Sequence, residues 1–236
     1  MAHDTFSTHW YATFLEPIAS EHTAAEAALI ERHLPSDAFR TLLDIACGPG
    51  RHAAFLADEG YEVVGIDKDE TAIASARGRG IAGSAFHVMD MRDLASLGTT
   101  FDGAVNLWHS FGYYDEATNE AIVRSVADSL RPGGRAVFDI YNRDHMRTLP
   151  ALEAHERNGV ALETRRTWEG NRMCCRIAYA DNPPDVFEWR LFTPPEFGRM
   201  AERNGFREIL RCAWFDESID PAPEHARMQF VLERTD

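Results

Sequence analysis

The stretch that most constrains this chain is Leu42 to Gly50, which reads LLDIACGPG. A short apolar run carrying one carboxylate ends in a Gly-Pro-Gly turn, and a helical pattern follows from His52 to Glu59. Strand, tight turn and helix in that order form the first unit of a nucleotide-binding α/β fold. Gly48 and Gly50 let backbone approach a ligand where a side chain would obstruct it. Taken alone, Gly48, Gly50 and Ala53 make a loose G-x-G-x-x-A match that also fits dinucleotide sites. Asp44 tilts the choice, because a carboxylate at the end of the first strand suits a cationic amino group and repels a pyrophosphate.

The rest of the chain repeats the theme. Tyr61 to Asp67, YEVVGID, reads as a second buried strand that ends in an acid 17 residues beyond Gly50. That is near the offset at which a carboxylate receives two ribose hydroxyls. A helix is expected over Glu70 to Arg79, and a third strand over Ala85 to Met89, followed by Asp90 and Met91. Phe101 to Trp108 reads as the fourth strand and runs into His109-Ser110-Phe111-Gly112-Tyr113-Tyr114. The spacing predicts an amphipathic helix from Glu116 to Leu130, stopped by Arg131-Pro132-Gly133-Gly134, and a fifth strand from Arg135 to Tyr141. Strands alternating with helices imply a parallel sheet with helices on both faces.

Two segments break the alternation. Residues 1–36 are helical in pattern, with Phe6, Trp10, Tyr11 and Phe14 as an aromatic cluster, and are expected to form an N-terminal helical cap. After the fifth strand, Val160–Trp168, Arg172–Tyr179 and Asp185–Phe192 read as a three-stranded antiparallel meander, so 155–192 is expected to be an inserted β lid. A helix opening at Thr193-Pro194-Pro195 and ending at Asn204-Gly205 comes next. Two strands, Ile209–Phe215 and Arg227–Glu233, close the chain as a hairpin.

Taken together, LLDIACGPGRH, VVGIDKD, VMDMRDL and LRPGGRAVFDI, in that order, resemble the class I S-adenosylmethionine-dependent methyltransferases that act on small molecules. The resemblance covers roughly Thr41 to Tyr141 and resumes weakly from Pro195 to Phe206. It implies a Rossmann-like, doubly wound α/β sheet of seven strands with the last antiparallel, and here with the inserted β lid. It implies S-adenosyl-L-methionine as cofactor. Asp44, Ala46 and Gly48 would surround the methionine portion, with the Leu107 backbone beside it. Asp67 would bind the ribose, Asp90 and Met91 the adenine, and Tyr11 and Lys68 would complete the site. Asn106-Leu107-Trp108-His109 stands where methylases of planar amino groups often carry Asn-Pro-Pro-Tyr, which argues against nucleic acid as acceptor. The lid position resembles that of amino-sugar and glycine-type N-methyltransferases.

Composition agrees with a small-molecule enzyme. Lys and Arg number 24 against 38 Asp and Glu, a net charge of −14, which disfavours long-range attraction to nucleic acid or an anionic membrane. The opening MAHDTFSTHWYATF lacks a basic region followed by an apolar one, and the four cysteines follow no redox or metal spacing. A cytoplasmic protein with no metal, one domain over 1–236, and a small-molecule methyl acceptor at oxygen or nitrogen are therefore expected. Oligomeric state stays open, a homodimer included. His109 and Tyr113 are the candidate catalytic residues: an imidazole past the fourth strand could act as base, and the tyrosine as pocket wall or hydrogen-bond donor. Three rival readings stand beside this one: a dehydrogenase, a non-catalytic cofactor-binding regulator or partner subunit, and a nucleic-acid methyltransferase.

Overall fold

A computed structural model describes residues 6–235. The first five residues of the expected cap lie outside the described residues. The remainder of the cap is broken rather than one helical run. A turn of helix, α1 (Thr8–Trp10), passes into a π-helical turn over Tyr11–Leu15, and α2 (Ser20–His33) starts afresh beyond Pro17. Proline has no N–H to continue the ladder.

The alternating part then proceeds through β1 (Thr41–Ile45), α3 (Arg51–Asp58), β2 (Glu62–Asp67), α4 (Glu70–Gly78), β3 (Ser84–Val88) and a 3-10 helix over Met91–Leu97. β4 (Phe101–Asn106), α5 (Glu116–Asp128) and β5 (Leu130–Tyr141) complete it. β5 begins five residues earlier than the Pro-Gly-Gly sequence suggests, and α5 ends at Asp128. The reason is an irregular pairing with β4, in register at Phe101↔Leu130 and shifted before Gly103↔Arg135. Gly134 permits the crowding there, since a Cβ would lie 2.8 Å from the Arg131 carbonyl oxygen and 2.9 Å from that of Asp102.

After the short α6 (Arg143–Met146) come β6 (Leu152–Arg157), β7 (Val160–Glu169), β8 (Arg172–Tyr179) and β9 (Asp185–Arg190). They form a separate antiparallel sheet in the order β6-β7-β8-β9. The insertion therefore has four strands rather than three and starts at Leu152 rather than 155. The sequence hides β6 because LEAHER is an edge strand, exposed or half-exposed throughout, with no apolar alternation to read. Along β8 burial does alternate, so Cys175 turns inward and Cys174 is only partly covered.

α7 (Pro194–Arg203) opens with a full capping box: Glu196 N–H donates to Thr193 Oγ1, and Thr193 N–H donates to the Glu196 carboxylate. β10 (Phe206–Ala213) and β11 (Arg227–Arg234) pair as the expected hairpin, although β10 starts and ends earlier than its pattern suggests. Trp214 and Phe215 turn out of the strand with φ of 57° and 58°.

The main sheet has seven strands in the order β10-β11-β5-β4-β1-β2-β3. β11 is antiparallel to both neighbours, and the pairs among β1 to β5 are parallel. One apolar layer packs α5, α7 and the 3-10 helix on one face, with Ile122, Val126, Phe197 and Phe230 at its centre. The opposite layer packs α2, α3 and α4 around Leu29, Leu42, Ile73 and Val105. A third cluster joins the N-terminal segment to the inserted sheet through Trp10, Met173, Phe187 and Trp189. Among the described residues no helix is long and apolar enough to cross a membrane.

Candidate functional site

The carboxyl ends of β1, β2, β3 and β4 open into one cleft. Its lining includes Tyr11, Asp44, Ala46, Gly48, Asp67, Lys68, Asp90, Met91, Leu107 and Tyr113. All nine residues expected at a cofactor are thus brought together, as is one of the two candidate catalytic residues.

The glycine turn makes the floor. Ala46 leaves β1 in the left-handed region at φ 58°, and Gly48 follows at φ 54°. A Cβ on Gly48 would meet nothing within 4 Å. The Asp67 carboxylate anchors this turn, accepting Gly48 N–H and Asp69 N–H at 2.9 Å each. Asp67 does not cap α4; Asp69 does, accepting from Thr71 and Ala72. Burial raises the Asp67 carboxyl, and the two backbone donors oppose that.

Asp44 is buried to 2 % exposure, and its Oδ2 has no hydrogen-bond partner. Burial, reinforced by the charge of Asp67 and only partly offset by Arg51, pushes its carboxyl up to about 7. A buried carboxylate oxygen without a partner is costly. Asp90 is engaged already. It caps the 3-10 helix, receives Arg92 Nε at 2.9 Å and Nη2 at 2.8 Å, and accepts the Tyr114 hydroxyl at 3.1 Å. Burial alone would raise it, but Arg92 and Tyr114 hold it below the usual carboxylate range. A ligand amino group arriving here shares an acceptor with Arg92. Met91 lies beside it, its side chain in the core.

The roof is aromatic. Phe6 stacks on Trp10 at 4.0 Å and meets Phe187 of β9 at 4.8 Å. Ser7 Oγ donates to Asp185 at 2.8 Å, which docks the N-terminal segment on the inserted sheet. Tyr11 faces the floor, where burial and the charges of Asp67 and Asp69 raise its hydroxyl. The loop carrying Tyr113 is strapped to the same sheet. Arg190 N–H donates to Gly112 O at 2.7 Å, and the Arg172 guanidinium donates to Tyr114 O at 2.7 Å and Tyr113 O at 3.2 Å. The buried Tyr113 hydroxyl turns toward Trp189 Nε1 without hydrogen-bond geometry, and burial raises it.

His109 is not part of the lining. Its ring is buried and stacked on Tyr141 at 4.0 Å and 10°, and its backbone N–H donates to the Asp139 carbonyl oxygen. Burial and the Arg227 charge hold the imidazole well below its ordinary value. The residue expected as a base thus lies outside the cleft lining. The backbone takes a left-handed turn at Trp108 and His109, φ 58° and 51°, which brings Trp108 rather than His109 to the cleft. No local pattern in the sequence announces that turn.

Sequence reasoning also missed Arg51, His52 and Trp108, which line the cleft and converge on the buried Glu26 of α2. Glu26 accepts His52 Nε2 at 2.8 Å, Arg51 Nη1 at 2.9 Å, Trp108 Nε1 at 3.0 Å and Arg227 Nη2 at 3.3 Å. Burial alone would raise its carboxyl, but the His52 hydrogen bond and the surrounding cations hold it well below the usual range. Nothing local sets Glu26 apart from Glu21 and Glu31 in the same alanine-rich helix. Among the described residues no group of three or more His, Cys, Asp or Glu side chains could hold a metal ion.

Residues 42–134 match a family described as a methyltransferase domain. Over 101 residues the chain is 37% identical to a dTDP-3-amino-3,4,6-trideoxy-alpha-D-glucopyranose N,N-dimethyltransferase of Streptomyces venezuelae, covering 42% of this chain and 41% of that protein. Over 114 residues it is 36% identical to a dTDP-3-amino-3,6-dideoxy-alpha-D-glucopyranose N,N-dimethyltransferase of Streptomyces fradiae, covering 48% and 43%. The matched part thus spans less than half the length of these curated relatives. In fold, the chain is similar along the whole of both chains to an S-adenosylmethionine-bound amino pentose methyltransferase from Micromonospora echinaspora, with a TM-score of 0.74 at 24% identity. The seven-stranded sheet, the glycine turn between Asp44 and α3, and this match identify residues 42–134 as a methyltransferase domain, on a fold similar to that of S-adenosylmethionine-dependent methyltransferases.

Proposed function

We propose that this chain transfers a methyl group from S-adenosylmethionine to a nitrogen of a small-molecule acceptor. The observation that carries the reading is Asp44, a buried carboxylate with an unpartnered oxygen at the cleft, placed just before the glycine turn. An amino group supplies the missing donor. The open space beside Gly48 admits the chain that carries it.

When bound, S-adenosylmethionine supplies an electrophilic methyl on a positively charged sulfur. Asp44 would accept from the amino group of the methionine portion, with Ala46, Gly48 and Leu107 around it. Asp67 keeps lone pairs beyond its two backbone donors, and these suit ribose hydroxyls. Asp90 and Met91 would take the adenine, and Tyr11 and Lys68 would complete the wall. The aromatic roof excludes water and holds the acceptor in line, and well-oriented partners gain effective molarities of roughly 10⁵–10⁸ M. In this reading the inserted sheet is a lid and the N-terminal segment a cap.

Nitrogen is favoured over oxygen by proton chemistry. An amine that has lost its proton attacks with its own lone pair, whereas an alcohol needs a base to take its proton. Of the histidines, His52 is committed to Glu26, and His109 lies outside the lining. Tyr113, its hydroxyl held protonated, is suited to accept a hydrogen bond from the incoming amine rather than to act as a strong base. The amino-sugar relatives, named as N,N-dimethyltransferases, support the same choice, and the net charge of −14 supports a small acceptor over nucleic acid. The test is incubation with methyl-labelled S-adenosylmethionine and a metabolite extract. An N-methylated product is expected. Label on oxygen would overturn the choice of nitrogen, and binding without transfer would favour a non-catalytic cofactor-binding subunit.

A further inference from the structure

Glu26 sits on α2, outside every motif of the glycine turn, yet its one carboxylate gathers donors from three other elements. Arg51 and His52 open α3, Trp108 lies just past β4, and Arg227 begins β11. Three of these four side chains line the cleft. Two guanidinium groups lie over the Trp108 indole, that of Arg51 at 5.0 Å and that of Arg227 at 5.2 Å. Its backbone is held in the left-handed region, where a non-glycine residue is strained and persists only when its surroundings fix it. Asp139 supplies part of that hold, accepting Trp108 N–H at 2.8 Å, and is itself paired with Arg227 and with Gln229 at 2.7 Å.

From this convergence we infer that Glu26 is a positioning residue for the cofactor cleft. It sets the Trp108 indole and the first turn of α3 as one rigid wall, and it ties that wall to the helix just beyond the aromatic roof. The inference rests on the proposed cofactor reading of the cleft. Removing the charge places an amide N–H₂ against donors, so the wall loosens even though shape is kept. Trp108→Phe makes a smaller change, keeping an aromatic face and deleting the single N–H donated to Glu26.

The experiment is calorimetric titration of S-adenosylhomocysteine into wild type, Glu26→Gln, Trp108→Phe and the double variant, each well below its unfolding midpoint. Glu26→Gln is expected to raise Kd about tenfold, the scale of one charge-assisted hydrogen bond. Trp108→Phe is expected to raise Kd by less, and the double variant by less than the product of the two, because one interaction serves both residues. A folded Glu26→Gln with lowered thermal midpoint and unchanged Kd would overturn the inference and leave Glu26 a stabilising group only. Should Glu26→Gln fail to fold, Trp108→Phe decides, an unchanged Kd again being the contrary result. Absence of binding by wild type would instead overturn the cofactor reading itself.

Discussion

The floor and the roof of the cleft are built on opposite principles. The floor consists of carboxylates at strand ends, Asp44 on β1, Asp67 on β2 and Asp90 just past β3, placed there by the parallel sheet, with Asp67 and Asp90 held further by backbone N–H groups of the next turn. The roof is a stack of rings assembled from Phe6, Trp10 and Tyr11 at one end of the chain and Phe187 near the other. Charge and hydrogen-bond direction on the floor specify one kind of ligand. Apolar surface in the roof specifies a shape, and shape changes freely with a few substitutions. The difference teaches why the cofactor is readable here and the acceptor is not.

The comparison breaks most visibly when the roof is removed. Deleting residues up to Leu15 takes away three lining aromatics together with the Ser7–Asp185 contact. Turnover is expected to fall by about 10²-fold or more, since a misplaced acceptor forfeits orientation. Cofactor affinity should fall far less. Parallel measurement of kcat and of the S-adenosylhomocysteine Kd checks this, and equal losses in both would mean that roof and floor are one site.

A smaller effect is expected from the floor alone. Asp67→Ala should weaken S-adenosylhomocysteine by roughly 1.5–3 kcal/mol, the range for hydrogen bonds to a charged group. The glycine turn loses its anchor at Gly48 N–H in the same variant, so hydrogen exchange at that amide should quicken. Unchanged affinity would remove Asp67 from the site.

The smallest effect on the chemistry belongs to His109. Because its ring is stacked behind the cleft, His109→Phe should leave any acidic limb of the pH–rate profile in place and change kcat by no more than about threefold, below the 10²-fold start of the range for a positioned base. Loss of that limb would restore His109 as a base.

The same contrast decides how far each half can be read from the sequence. The strand-turn-helix units announce themselves locally, so the parallel strands of the main sheet and the carboxylates at its edge are legible in LLDIACGPG and YEVVGID. β6 escapes notice because an exposed edge strand carries no apolar period. The early start of β5 is hidden because Pro-Gly-Gly reads as a turn whether or not a neighbouring strand accepts it. His109 is misplaced by its sequence position because two successive left-handed residues reverse which side chain reaches the cleft. Glu26 and Arg172 act through partners 25 to 201 and 58 to 59 residues away. Such contacts arise only once the chain has folded.

The central claim is that the unpartnered Asp44 carboxylate receives a cationic amino group. In the unliganded protein burial pushes this carboxyl up to about 7, so below that pH it is mostly protonated. A bound ammonium favours the ionised form and lowers the value in the complex. Affinity should therefore rise as pH rises toward 7, by up to about tenfold per unit, and level off above it. The most direct measurement is calorimetric titration of S-adenosylhomocysteine from pH 5.5 to 8 in two buffers of different ionisation enthalpy, with wild type and Asp44→Asn. The account predicts that wild type releases a proton on binding at pH 6, that the release fades by pH 8, and that Asp44→Asn binds weakly without this pH dependence. Tight binding by Asp44→Asn with the wild-type pH profile would contradict it.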